Sequence, residues 1–157
     1  MKHLFRILCL FALSASLFAA DLSITSTSVT PGANAVIRYD TAGAAITAGK
    51  VVYKSATDGK LYLADTDSGT SAVRDAVGIA LVTGAIGTKI AYVIEDDDLT
   101  IGATVANGTI YVLSATAGGI APAADLTTGW YPTILAVGKS TTKIAFKAKP
   151  IRSATAL

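Results

Sequence analysis

The feature that most restricts the fold of this chain is an internal repeat. Residues 49–59 (GKVVYKSATDG) match residues 108–118 (GTIYVLSATAG) at a constant spacing of 59 positions. A second block follows in the same order, because residues 88–92 (TKIAY) match residues 142–146 (TKIAF) at a spacing of 54. Two similar half-units that each carry an apolar face can bury that face by packing on one another.

The rest of the chain consists of short β-type runs separated by turn residues. Asp58-Gly59 is a strong hairpin signal, residues 65–75 are polar and loop-like, and residues 71–75 could form one short helix. Regularly spaced short strands with glycine turns are typical of a sandwich or barrel. We therefore predict an all-β fold, a small β-barrel or sandwich made of two related half-units with an extended N-terminal arm. The predicted strands cover residues 36–39, 51–53, 60–64, 77–83, 89–94, 99–101, 109–113, 134–137 and 143–147.

The first twenty residues differ in composition from the rest. Lys2 and Arg6 precede an apolar run that ends in small residues, a pattern typical of a secretory signal peptide. The run is too short to span a bilayer comfortably. The alternative is a hydrophobic arm that the mature protein retains. The predicted organisation is a hydrophobic leader (1–20), an extended arm or edge strand (21–45), a β-rich structural domain with the internal repeat (46–150) and a C-terminal tail (151–157).

Charge and residue types exclude several classes of function. The chain carries 13 basic and 11 acidic residues, and without the leader the basic residues fall to 11, so the net charge becomes about zero. Neutrality argues against a nucleic-acid surface, which needs clustered Lys and Arg. The leader also holds His3 and Cys9, the chain's only imidazole and thiol. A mature chain without them can form neither a nucleophile–histidine system nor the usual zinc site.

Two acidic segments are the remaining candidates for a metal site. The run Glu95–Asp98 could bind calcium through carboxylate oxygens, but consecutive side chains on a strand point to opposite faces. We interpret the run as a solvated strand end that blocks unwanted edge pairing. Residues 65–69 (DTDSG) resemble the opening of a calcium loop but lack the closing acidic residue. We therefore assign no catalytic, cofactor-binding or metal-binding residues and predict that the protein is not an enzyme.

Aromatic residues are spread along the predicted strands, where they usually pack across neighbouring strands. Trp130, Tyr131 and Pro132 lie together in a loop before an apolar strand. Such a cluster is either part of the core or an exposed contact patch, since aromatic side chains dominate interface energetics. Core packing is the favoured interpretation.

Three stretches of the chain together resemble a known kind of module. They are residues 48–67 (AGKVVYKSATDGKLYLADTD), 76–97 (AVGIALVTGAIGTKIAYVIEDD) and 101–140 (IGATVANGTIYVLSATAGGIAPAADLTTGWYPTILAVGKS). In this order they resemble a recurrent module of tailed-phage virion proteins of the capsid decoration type, also called cement or head-fibre proteins. The likeness covers residues 46–150, and its most distinctive part is residues 111–129.

The resemblance implies a β-rich, non-catalytic bacteriophage structural protein. It would act as a homotrimer that docks on a major capsid protein or another virion surface, with no contact to nucleic acid. No site residues carry over, because that group acts through surfaces. The leader departs from this pattern, since a capsid protein assembles in the cytoplasm. The alternative is an exported bacterial surface protein of adhesin type, in the periplasm or at the cell surface, which would touch a membrane only through its leader.

Overall fold

The structure is a computed structural model that describes residues 21–157, with the backbone alone described for residues 148–152. The predicted leader, residues 1–20, lies outside the described residues. Two short 3-10 helices, Ser26–Ser28 and Ala123–Asp125, accompany ten strands, and the all-β prediction is confirmed. The strands are β1 (Val29–Thr30), β2 (Val36–Thr41), β3 (Val51–Lys54), β4 (Leu61–Leu63), β5 (Ala76–Ala80), β6 (Lys89–Ile101), β7 (Ile110–Leu113), β8 (Ile120–Pro122), β9 (Thr133–Gly138) and β10 (Lys143–Arg152).

At residues 71–75, where the sequence allows one short helix, the chain forms consecutive turns. The amide of Val73 donates to the carbonyl of Thr70, and the amide of Arg74 donates to the carbonyl of Ser71. The carbonyl of Val73 then accepts a hydrogen bond from the amide of Asp65, which ties the two ends of the loop together. The segment is therefore a compact polar loop rather than a helix.

The strands form one curled sheet in the order β4-β3-β5-β6-β10-β9-β7-β8, shaped as a half-barrel. The thirteen-residue strand β6 is its centre. On one edge β6 pairs with β5 through Tyr92 and Val93 and then with β10 through residues 95–100. On the other edge it pairs with β2 and, further along, with β1. Successive parts of β6 thus belong to both halves of the sheet.

The two repeated segments pair their strands in the same register. In the first half Val52 lies opposite Leu63, and in the second half Tyr111 lies opposite Pro122, 59 positions later in each strand. The pairings of β3 with β5 and of β7 with β9 also correspond, and both contain an irregularity after the second pair. The TKIAY and TKIAF blocks begin β6 and β10 at Lys89 and Lys143.

Two apolar cores hold the fold together. The larger one joins both halves: Val51, Ile79 and Val93 of the first half are packed with buried side chains of the second half, Phe146 among them. The smaller core lies within the first half and includes Val52, Leu61, Ile90 and Tyr92. Adjacent residues of β3, Val51 and Val52, therefore enter different cores, so this strand is buried on both faces.

The two ends of the curled sheet meet at the turn between β7 and β8. The amide of Val51 donates to the carbonyl of Gly118 (3.0 Å), and the amide of Gly118 donates to the carbonyl of Ala64 (2.6 Å). The equivalent turn of the first half, around Gly59, makes no such contact with any residue from 21 to 157 and is exposed. One sequence motif thus has two roles, a sheet-closing turn in the second half and a free turn in the first.

A matched pair of substitutions measures this closure. Gly118 and Gly59 both have left-handed φ angles, +69° and +70°. A Cβ at Gly118 would lie 2.9 Å from Leu63 Cδ2 and 3.2 Å from Lys50 Cβ, whereas one at Gly59 meets only Lys54 Cε at 4.0 Å. We expect Gly59→Ala to lower the free energy of unfolding by about 1 kcal/mol through backbone strain. We expect Gly118→Ala to lower it by about 2–4 kcal/mol, since overpacking is added.

Urea unfolding followed by the fluorescence of Trp130 gives both values. Equal losses in the two variants would contradict the closing role of the second turn.

Candidate interaction surface

Strand β2 exposes apolar side chains on both of its faces. Val36, Ile37 and Tyr39 have 40%, 36% and 62% of their surface accessible to solvent. Arg38 between them is exposed as well. Side chains alternate between faces along a strand, so four successive exposed residues mean that residues 21–157 leave both faces of this segment accessible to solvent. Exposed apolar groups that lie together on a small protein make this segment a candidate site of contact.

The outer edge of β2 is also open. The amide of Ala42 donates to the carbonyl of Thr88 on the β6 side. Along a strand, the backbone N–H and C=O groups of successive residues point to alternate edges. Arg38 and Asp40 therefore direct these groups to β6. Ile37 and Tyr39 direct theirs to the outer edge. Within residues 21–157, β2 pairs with β6 alone. From Ala42 onward the edge is taken by β4, through a parallel bridge to Leu61.

The charged residues of β2 are Arg38 and Asp40, which share one face. The Oδ2 atom of Asp40 accepts hydrogen bonds from Lys54 Nζ at 2.6 Å and from the Tyr92 hydroxyl at 3.3 Å. The hydrogen bond to Asp40 raises the pKa of Lys54, and burial together with Asp40 raises the pKa of Tyr92. Among the described side chains no salt bridge includes Arg38. Asp40 is therefore fixed in place, and Arg38 presents its charge to solvent.

A second apolar area lies on β7 and β9. Ile110 and Val137 are cross-strand partners with 43% and 42% of their surface accessible. The corresponding pair in the first half, Val51 and Ile79, is fully buried in the larger core. The same position of the repeat is thus an inner contact in one half and an outer surface in the other.

The acidic run Glu95–Asp98 is not a strand end, contrary to our interpretation of the sequence, because β6 passes through it without a break. Its four side chains also diverge. Asp96 is buried and accepts hydrogen bonds from the amides of Gly32 (2.7 Å) and Asp98 (2.9 Å). Glu95 pairs with Lys147 at 3.0 Å, and Asp98 pairs with Lys143.

These lysine partners offset the charge that would otherwise disfavour pairing, and Lys143 lowers the pKa of Asp98. Among the described residues no group of three or more His, Cys, Asp or Glu side chains is placed to hold a metal ion.

The second acidic segment forms a close pair of carboxyl groups, Asp65 and Asp67. Burial and a hydrogen bond with the Asp67 side chain raise the pKa of Asp65 to about 6. Between them Thr66 is fully buried, and its hydroxyl donates to the carbonyl of Tyr131 at 2.6 Å. The loop therefore ties the first half to the second half.

The Trp130–Pro132 cluster faces inward. The guanidinium carbon of Arg74 lies 3.5 Å from the centre of the Tyr131 ring, a cation–π contact. Arg74 is only 8% exposed, and its Nη1 donates to the carbonyl of Ser68. Trp130 and Tyr131 are half-buried, so packing within the molecule accounts for this cluster better than a contact patch does.

An open cleft of about 350 Å³ lies beside the N-terminal arm. Its lining consists only of small and hydroxyl-bearing residues: Ser23, Thr25, Ser28, Thr100, Gly102, Ala103, Thr104 and Thr142. These groups can donate and accept hydrogen bonds, but none of them can exchange a proton near neutral pH. The lining residues that the structure describes therefore include no side chain that could act as a base toward these hydroxyls.

The sequence predicted an arm or edge strand at residues 21–45 but did not identify β2 as an interaction surface. One signal was present, because Val36, Ile37, Arg38 and Tyr39 place an apolar residue on each face. That pattern cannot distinguish a strand buried on both sides from one that is exposed on both sides.

The Asp65–Asp67 pair predicts a measurable pH dependence. Because the pKa of Asp65 is raised in the folded state, its contribution to stability is present at low pH and is lost as pH rises through about 6. Asp65→Asn keeps the oxygen that accepts the Asp67 amide and removes the charge. We expect the free energy of unfolding of this variant to exceed that of the unmodified chain by about 1 kcal/mol at pH 7.5. This value allows for solvent screening of a partly buried group.

The gain should vanish near pH 4, as measured by urea unfolding across the pH range. Thr57→Ala, at an exposed position without an ionisable group, is the control, and its effect on stability should not change with pH. A gain for Asp65→Asn that does not change with pH would contradict the raised pKa.

Comparisons with known proteins add no assignment to this geometry. Within residues 21–157, none of the helices has the length and apolar character needed to cross a membrane. The chain matches no protein-family model and no curated protein.

Proposed function

We propose that the protein is a non-enzymatic structural module that associates with itself and docks on the surface of a virion, as a capsid decoration protein does. The observation that carries this proposal is the exposed apolar strand β2 with its open outer edge. A solvent-exposed strand edge with apolar side chains readily accepts another chain, and proteins that do not use such an edge usually protect it. The resemblance of residues 46–150 to phage decoration modules supports the same function.

The two exposed apolar areas support a division of roles. Strand β2 offers backbone hydrogen-bonding groups as well as side chains, which suits pairing with another strand. The Ile110–Val137 area lies on the face of paired strands, where the backbone groups are already used, and offers side-chain contact alone. We assign β2 to association between copies and the Ile110–Val137 area to docking on the capsid protein. The trimer implied by the resemblance stays a prediction.

The dispersed acidic residues support a role without catalysis. Glu95, Asp96 and Asp98 of β6 bind backbone amides or lysines, and these contacts stabilise the fold. The Asp65–Asp67 pair lies on a loop that fastens the two halves together through Thr66, and the charge of the Asp65 carboxylate itself costs stability at neutral pH. A surface that acts by contact needs no converging charged groups, only complementary shape and exposed apolar anchors.

An exported surface protein of adhesin type is the second candidate, and the leader is the observation that favours it. A basic start followed by a short apolar run is the pattern of an export signal. The two functions differ in the expected N-terminus and location. An exported chain begins at Asp21, whereas a virion arm keeps Met1 or Lys2.

Fractionation of the native source tests the proposal. Particles are separated on a density gradient, and this chain is quantified by mass spectrometry in the DNA-containing particles, the periplasm and the cell surface. The proposal expects the chain in the particle fraction with residues 2–20 retained. Recovery only in the exported fractions, with Asp21 at the N-terminus, would establish the rival function instead.

A substitution in the docking area sharpens this test. Ile110→Lys places a charge in the centre of the second apolar area, and we expect it to lower the amount of chain on the particles by about tenfold. Ile86→Lys is the matched control, because Ile86 is 70% exposed on the loop between β5 and β6. It should leave particle binding unchanged.

A further inference from the structure

The free edge of β2 presents a short, well-defined set of hydrogen-bonding groups. The outward N–H and C=O groups belong to Ile37 and Tyr39, because Arg38 and Asp40 direct theirs to β6. A strand that pairs here must match these positions. In an antiparallel pair that is symmetric about a twofold axis, an outward residue can lie opposite its own copy and exchange both hydrogen bonds with it.

The charges of β2 select one register among the symmetric ones. When Tyr39 lies opposite Tyr39 of a second copy, Arg38 lies opposite Asp40 of that copy, and Asp40 lies opposite its Arg38. Opposite charges across strands stabilise a pair, as do facing aromatic rings. A parallel pairing in register would instead place Arg38 beside Arg38. The sequence Arg38-Tyr39-Asp40 is therefore complementary to itself in the antiparallel direction alone.

The contacts of Arg38, Tyr39 and Asp40 within one molecule are compatible with this antiparallel pairing. Lys54 and Tyr92 hold Asp40 through Oδ2, and the second oxygen of the carboxylate, Oδ1, can accept a hydrogen bond from a partner. Arg38 is exposed and forms no salt bridge with the described side chains, so it can reach across to the carboxylate of a second copy. Tyr39, 62% exposed, is on the other face and would be covered by its own copy.

We propose that two copies of this chain join through β2, antiparallel about a twofold axis at Tyr39, to continue the sheet from one molecule into the next. This inference specifies the self-association in the proposed function and rests on that part of it. A twofold contact links chains in pairs, so an assembly built with it contains an even number of chains. A dimer, or two trimers joined at their β2 strands, satisfies this condition.

A charge at the symmetry axis tests the pairing. Tyr39→Lys places two ammonium groups opposite each other, and Tyr39→Glu does the same with two carboxylates. Because Tyr39 is exposed, neither change disturbs a core. We expect each variant alone to raise the dissociation constant of the assembly about tenfold or more, measured by analytical ultracentrifugation of the full chain. Ile86→Lys, the matched control, should associate as the unmodified chain does.

Mixing the two variants provides the decisive measurement. Equal amounts of Tyr39→Lys and Tyr39→Glu should form a mixed pair, because lysine then faces glutamate across the axis, and native mass spectrometry resolves its mass from those of the parents. Absence of this mixed species would overturn the pairing. So would an unmodified chain that stays monomeric, or an unmodified chain that forms nothing larger than a trimer and keeps that trimer when Tyr39 is replaced by Lys. The last result would leave the proposed function standing, since another surface would then join the copies.

Discussion

Backbone hydrogen bonding along both edges of β6 is the constraint on which the rest of the structure depends. This strand pairs with β5 and β10 on one edge and with β2 and β1 on the other. The two repeated segments are joined through it, and the larger core forms between them. An acidic run inside such a strand would normally disfavour pairing. It is accommodated here because Asp96 binds two amides, and Glu95 and Asp98 bind lysines.

The sequence carried most of the information about local structure. Alternating apolar residues and glycine turns placed the main strands, and the two copies of the SAT-x-G turn marked the hairpins of both halves. Such features depend on neighbouring residues, so they can be inferred from a short window of sequence. The short helix considered possible at residues 71–75 does not form, because the carbonyl of Val73 accepts a hydrogen bond from the amide of Asp65 and the loop folds into turns instead.

The environment of each repeated residue could not be predicted in this way. Val51 and Ile110 occupy the same position of the repeat, yet one is fully buried and the other is largely exposed. The difference arises from contacts between distant segments, chiefly the hydrogen bonds that join Gly118 to Val51 and Ala64. For the same reason the run Glu95–Asp98 did not reveal that Asp96 would meet the amide of Gly32. The exposure of β2 also depends on long-range placement, because a strand is exposed only where no distant segment packs over it.

The unequal use of the two turns has a practical consequence for experiments on this protein. Residues 55–59 form a complete turn that makes no backbone hydrogen bond with the described part of the second half, and a Cβ at Gly59 would meet only Lys54 Cε at 4.0 Å. A short peptide label or affinity tag inserted there would project into solvent without separating the two ends of the sheet. The same insertion at residues 114–118 would disrupt the hydrogen bonds that join Gly118 to Val51 and Ala64, and the two ends of the sheet would separate. The first turn is thus the natural point for attaching probes to an intact assembly.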